Sequence, residues 1–322
     1  ASATGGADGA TVLVTATEND AEPSIQLTGD VNVEGGAGSA EFVLAGTGTT
    51  TGSVNLNVNS MFTSNITVTG NTEAGATDTI TGPSIPGVEN LWTITAANNG
   101  EITDSTSSPT STVTFTSFEQ LTGGAENDQF TLSTTEFDGA IVGGTGTDTL
   151  VGAGQTNAWM ITGADAGTVT GLANTFSSIE ALEGGTGFVD TFTLSAVETF
   201  SGNIEGNASD GDTLVAGNQD TDWSITGADN TGTVTGLGQT FTQIEVLRGD
   251  DDSNYVDTFN INNGVDFTGS IEGRDGNDIF NLANDVTGTV DGGAGNDQFN
   301  LTATTITGAI SGGAGNDEFN LS

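Results

Sequence analysis

The chain has 322 residues, 43 Asp plus Glu against two basic residues, Arg248 and Arg274, no His and no Cys, for a formal net charge of −41. Such a surface repels phosphate, which excludes nucleic acid as a partner and disfavours anionic membrane surfaces, and no apolar run approaches the roughly 20 residues needed to span a bilayer. Disulfide frameworks and thiolate metal sites are excluded as well, leaving hard cations as the metals this composition could hold.

Fifty Gly at this charge would suit a disordered chain. The apolar residues are placed too regularly for that: short Val, Ile, Phe and Leu runs alternate with Gly and Asn clusters, as in a protein of many short strands. The first segment, residues 1–84, places Val12, Val14, Val54, Leu56, Val58, Ile66 and Val68 at strand spacing. Gly35-Gly36-Ala37-Gly38, followed by Phe42 and Leu44, gives a faint copy of a turn that recurs later. This segment is expected to be β as well, as degenerate coils, a cap or a separate sandwich. All four prolines fall within the first 109 residues, and Pro83 and Pro86 mark the boundary with a second segment, residues 85–322. The terminus Ala1-Ser2-Ala3 fits a mature end or a cut fragment.

From residue 85 two periods overlie one another. Trp92, Trp159 and Trp223 each begin a W-x-I-T segment. Each leads to an apolar cluster: Phe118 and Leu121, then Phe176, Ile179 and Leu182, then Phe241, Ile244 and Leu247. The spacing suits three coils per long repeat. The short period is clearest at the end, where 273–278, 292–297 and 312–317 are glycine turns closing on Asn-Asp. The pairs Phe280 and Leu282, Phe299 and Leu301, and Phe319 and Leu321 follow these turns at strand spacing, pointing to one interior. A second strand is expected over 267–271, 286–290 and 306–310, and earlier over 137–141 and 200–204, from a shared pattern of apolar residues around a central Gly. Turn and strands recurring at one period of about twenty residues predict an all-β fold, a right-handed parallel β-solenoid of β-helix or β-roll type.

The turn G-G-x-G-x-D, followed by x-U-x with U apolar, resembles the glycine-rich nonapeptide of RTX, or hemolysin-type, calcium-binding repeat proteins. The resemblance covers residues 85–322 and extends to the repetitive surface proteins and adhesins of bacteria that carry such turns. It implies several Ca²⁺ ions held by Asp128, Asp148, Asp190, Asp212, Asp257, Asp275, Asp278, Asp297 and Asp317. Carbonyls of Gly292, Gly295, Gly312 and Gly315 and their counterparts would complete the shells, since calcium takes six to eight oxygens. One such turn per coil implies one column of ions. Several turns depart from the pattern: 123–128 lacks the third Gly, 184–190 has an extra residue, and 249–257 is longer still. Stacked carboxylates repel unless a cation separates them, and the sequence has almost no Lys or Arg to do so.

The expected role is an extracellular or cell-surface structural protein, not an enzyme. Because the last residues stop inside a coil, head-to-tail pairing with copies of itself into a filament, matrix fibre or surface layer is the expected assembly. A spacer or binding segment of a large adhesin is the alternative. The acids Asp250, Asp251 and Asp252 could suggest a polysaccharide-cleaving β-helix enzyme, but without His or Lys the usual acid-base partners are missing. The Trp residues read as core fillers rather than a sugar platform. An ice-binding array would need an outward Thr column, which Thr145 and Thr186 begin and Ala125, Ala294 and Ala314 interrupt.

Overall fold

The computed structural model describes seven strands of the first 76 residues by their backbone, from Ser2–Thr4 to Ile66–Thr69, and residues 77–322 apart from 85, 106–111, 134–135, 196–198, 208–210, 263 and 303–304. The glycine turn at 35–38 lies outside the described residues. All regular structure among the described residues is β, and no helix there is long and apolar enough to cross a membrane. The strands are mostly parallel and stack in long sheets, coil upon coil, as a β-solenoid. The chain divides into two compact units, residues 1–151 with 171–179, and residues 152–170 with 180–322.

In the first unit the expected early strands are present, and they pair in parallel across residue 84. Thr11–Thr17 pairs with Ala40–Thr47, that strand with Ile66–Thr69, and Ile66–Thr69 with Val113–Thr116. A second ladder runs from Ile25–Leu27 through Val54–Asn57 and Thr79–Thr81 to Gln120–Thr122.

The second unit shows the short period most plainly. Asp257–Ile261, Ile279–Leu282, Gln298–Leu301 and Glu318–Leu321 pair in parallel, with Phe259, Phe280, Phe299 and Phe319 in one register. Alternation turns these rings inward, and each strand's neighbour supplies the next ring. They stack face to face, at 5.2 Å and 8° for Phe259 on Phe280 and 4.6 Å and 5° for Phe280 on Phe299. On the half-buried face of these strands the Asn281 amide donates to Asn260 at 2.9 Å, Asn300 to Asn281 at 2.8 Å and Asn320 to Asn300 at 3.0 Å, a side-chain ladder that locks the same register.

Two local features depart from expectation. The segments around a central Gly are not single strands. Phe267–Thr268 and Ser270–Asp275 belong to different sheets and meet at a corner at Gly269. A Cβ on Gly269 would strike the carbonyl of Glu245 in the preceding coil, so the corner closes only over a residue without a side chain. Each Trp strand, moreover, folds back on itself. Asn90–Ala96 pairs antiparallel with Asn99–Asp104, Ala158–Gly163 with Ala166–Val169, and Thr221–Ile225 with Gly232–Val234. Asn98, Asp165, Asp229 and Asn230 take the left-handed backbone these hairpin turns require. The Trp side chains are fully buried and occupy the Phe position of the repeat: Trp92 stacks on Phe130 at 5.2 Å, Trp159 on Phe192 at 5.4 Å and Trp223 on Phe259 at 5.5 Å.

Candidate metal centre

The recurring Asp stands two residues before an inward apolar residue, as Asp128 before Phe130, Asp148 before Leu150 and Asp257 before Phe259. Period-two alternation therefore turns its carboxylate into the coil rather than toward solvent. Asp148, Asp190, Asp212 and Asp278 are fully buried, Asp128, Asp257 and Asp297 are 1% exposed, and Asp317 is half-buried.

Within each unit these carboxylates form ladders. The backbone N–H of one Asp donates to Oδ1 of the Asp one coil further on: Asp128 to Asp148 at 2.8 Å in the first unit, and Asp190 to Asp212 at 2.7 Å in the second. The longest run links Asp257 to Asp278 and Asp278 to Asp297, both at 2.9 Å, and Asp297 to Asp317 at 3.1 Å. Strand pairing thus sets successive carboxylates about 5 Å apart.

Each ladder opens on a neutral residue that the Trp motif hid from sequence reasoning. Asn90, Asn157 and Thr221 stand two residues before Trp92, Trp159 and Trp223. The strand registers put Asn90 opposite Asp128 and Thr221 opposite Asp257. The Asn90 amide and the Thr221 hydroxyl donate to Oδ1 of those two aspartates, and Asn157 donates to Oδ1 of Asp190 from its amide at 2.8 Å and its backbone at 2.7 Å. The signal available in the sequence was the shared spacing to an inward aromatic, N-x-W or T-x-W for D-x-F.

The second oxygen distinguishes the aspartates. Oδ2 of Asp128 accepts the N–H of Gly124, Oδ2 of Asp190 that of Gly185, and Oδ2 of Asp257 that of Asp250 at 3.0 Å. Oδ2 of Asp278 and of Asp297 is buried with no hydrogen-bond partner. Burial raises the pKa of all five. Asp257 is pushed up to about 6 by desolvation first and then by the charges of Asp250 and Asp220, and Asp278 to about 7 by desolvation first and then by the charges of Asp257, Asp297 and Asp250. Neither basic residue relieves this charge: Arg248 pairs with Glu272 at 2.7 Å and Arg274 with Asp251.

Carbonyl oxygens of the turns converge on the same points. A Cβ on Gly273 would lie 2.5 Å from both Oδ2 of Asp278 and the carbonyl oxygen of Gly292, and one on Gly292 would collide with Oδ2 of Asp297 and lie 2.6 Å from the carbonyl oxygen of Gly312. The first Gly of the turn is thus required because a carboxylate and a carbonyl occupy the space of its side chain. The carbonyls of Gly292 and Gly312 are brought to the carboxylates of Asp278 and Asp297. The Gly295 carbonyl instead abuts the α-carbon of Gly315, which is exposed, and Asp275 is exposed on the outside of its turn. Among the described residues no three acidic side chains come together where they could hold a metal ion, so a cation here would draw on one carboxylate per coil, turn carbonyls and water. That donor set is all oxygen, which suits calcium rather than softer metals. No protein-family model and no curated protein matches the chain.

Proposed function

We propose that the chain is a calcium-binding structural solenoid, working outside the cell as a spacer, matrix fibre or surface-layer element. The observation that carries this reading is the pair of buried, unpartnered carboxylate oxygens on Asp278 and Asp297, in a sequence whose two basic side chains are engaged elsewhere. A buried ionised carboxylate is costly unless a cation or a proton meets it. Bound calcium would supply positive charge at that point. Asp278 with Gly292, and Asp297 with Gly312, would hold it.

A structural role is favoured over catalysis because the acidic groups of the column are spent on the fold itself, each bonded to the backbone of the neighbouring coil. The pairing of successive coils is self-similar: Gln298, Phe299, Asn300 and Leu301 meet Glu318, Phe319, Asn320 and Leu321 in register. The same pairing between copies of the chain would build a fibre, which is the assembly we propose.

Isothermal titration with CaCl₂, and circular dichroism in Ca²⁺ and in excess chelator, test the calcium reading. Saturable binding and a large loss of β signal or melting temperature in chelator are expected. An absence of binding heat together with identical melting curves would overturn it. Sedimentation velocity with and without calcium tests assembly, and a monomer at every concentration in calcium would count against the fibre.

A further inference from the structure

The eight Asp-bearing turns fall into two backbone classes. In the turns ending at Asp128, Asp190 and Asp257, the residue after the first Gly is Gly124, Gly185 or Asp250, none of them left-handed, and its N–H donates to Oδ2 of the turn's own Asp. Oδ1 of the same Asp is already bonded by Asn90, Asn157 or Thr221. Both oxygens are satisfied by the chain. Each of the three follows a neutral rung; 184–190 and 249–257 are also longer than G-G-x-G-x-D, and 123–128 lacks its third Gly.

In the other five turns the second residue is left-handed: Gly144 at φ +113°, Asn207 at +73°, Arg274 at +78°, Gly293 at +101° and Gly313 at +88°. With the chain turned the other way, no N–H of the turns 273–278 or 292–297 reaches Oδ2 of the turn's own Asp, and Oδ2 of Asp278 and Asp297 is left bare.

We infer that calcium is held at Asp278 and Asp297, where a left-handed second residue leaves Oδ2 open beside a turn carbonyl, and not at Asp128 or Asp190, whose turns are closed by their own hydrogen bonds. The inference rests on the calcium reading above and narrows it. One chain then contains two kinds of coil, metal-independent coils at Asp128 and Asp190 and metal-dependent coils at Asp278 and Asp297. The neutral rung and the closed turn act together, because the first aspartate gains a side-chain donor from the coil before it and a backbone donor from its own turn. Arg274 shows that the second position does not have to be Gly, provided its backbone is left-handed.

The experiment uses the full chain, as wild type, Asp190→Asn and Asp297→Asn, titrated with CaCl₂. Asp190→Asn should bind as many ions as wild type, and Asp297→Asn should bind at least one fewer. Hydrogen exchange of the wild type, with and without chelator, needs no substitution and stands even if a variant fails to fold. Chelation should raise exchange at the amides of Ile279–Leu282 and Gln298–Leu301 tenfold or more, and leave Thr191–Leu194 within twofold. Equal loss of ions in both variants, or uniform loosening of both regions, would overturn the inference while leaving calcium binding intact. A wild type that binds no calcium would overturn both, so the two failures are told apart.

Discussion

Two aspartates one coil apart should respond oppositely to losing their charge. Asp257 accepts a hydroxyl at Oδ1 and an N–H at Oδ2, so Asp257→Asn sets an amide donor against a donor and leaves a buried group unsatisfied, at a cost of about 1–3 kcal/mol. Asp278 has nothing at Oδ2, and the carbonyl of Gly292 lies beside it. In Asp278→Asn the new amide can donate to that carbonyl and the buried charge disappears. In chelator at pH 8, Asp278→Asn should therefore melt above wild type and Asp257→Asn below it. Shifts of the same sign would refute the distinction between the two oxygens. Protons should mimic the substitution. The Asp278 carboxyl is raised from 3.8 to about 7, so the folded chain holds its proton more tightly than the unfolded chain does. Its contribution to the calcium-free fold is full near pH 4 and is lost as pH rises toward about 7. Thermal melts in chelator should give a higher midpoint at pH 5 than at pH 8. Calcium binds the ionised form, so saturating calcium should flatten or reverse that trend.

At the scale of the element, each ladder needs a rung without charge at its start. Asn157 donates to Oδ1 of Asp190 and also to the carbonyls of Ala153 at 3.0 Å and Gln155 at 2.8 Å. Asn157→Asp would remove those donors and bury a second carboxylate against the first. The expected loss is about 3 kcal/mol or more, read from chemical denaturation, whereas the same substitution at the exposed Asn296 should change stability by less than about 0.5 kcal/mol. A stable Asn157→Asp variant would mean that the neutral rung is incidental. The stacking register was legible in the sequence because Phe280, Phe299 and Phe319 repeat with their turns, and identical residues at one period can bury themselves only by stacking. The neutral rungs were hidden because Asn90, Asn157 and Thr221 differ from Asp in type and share only its place before an inward ring. The hairpins after each Trp were signalled by Asn98, Asp165 and Asp229, and they lengthen the coil: Trp92 pairs directly with Phe130, 38 residues on, so the long repeat does not hold the three equal coils its spacing suggested. The candidate site was legible as a column of glycines and aspartates. The division among its turns was not, since it depends on the backbone sign at the second residue, and Arg274 and Asn207 take the left-handed form without being Gly.

For the whole molecule, a formal charge of −41 raises the question of whether any cation would serve as well as calcium. Two populations of carboxylate answer differently. Exposed acids such as Asp275 and Asp291 repel one another through solvent, and salt screens that repulsion: the Debye length falls from about 10 Å at 0.1 M to about 3 Å at 1 M. The carboxylates of Asp278 and Asp297 are buried, beyond the reach of a diffuse ion atmosphere. Raising KCl from 0.1 to 1 M in chelator should therefore raise the melting temperature modestly, by relieving surface repulsion, and leave most of the gap between chelated and calcium-loaded protein in place. Calcium should close that gap at millimolar concentration in either salt. If 1 M KCl alone closed it, calcium would be acting as a surface counterion, and the bare oxygens inside the coils would have no part in its effect.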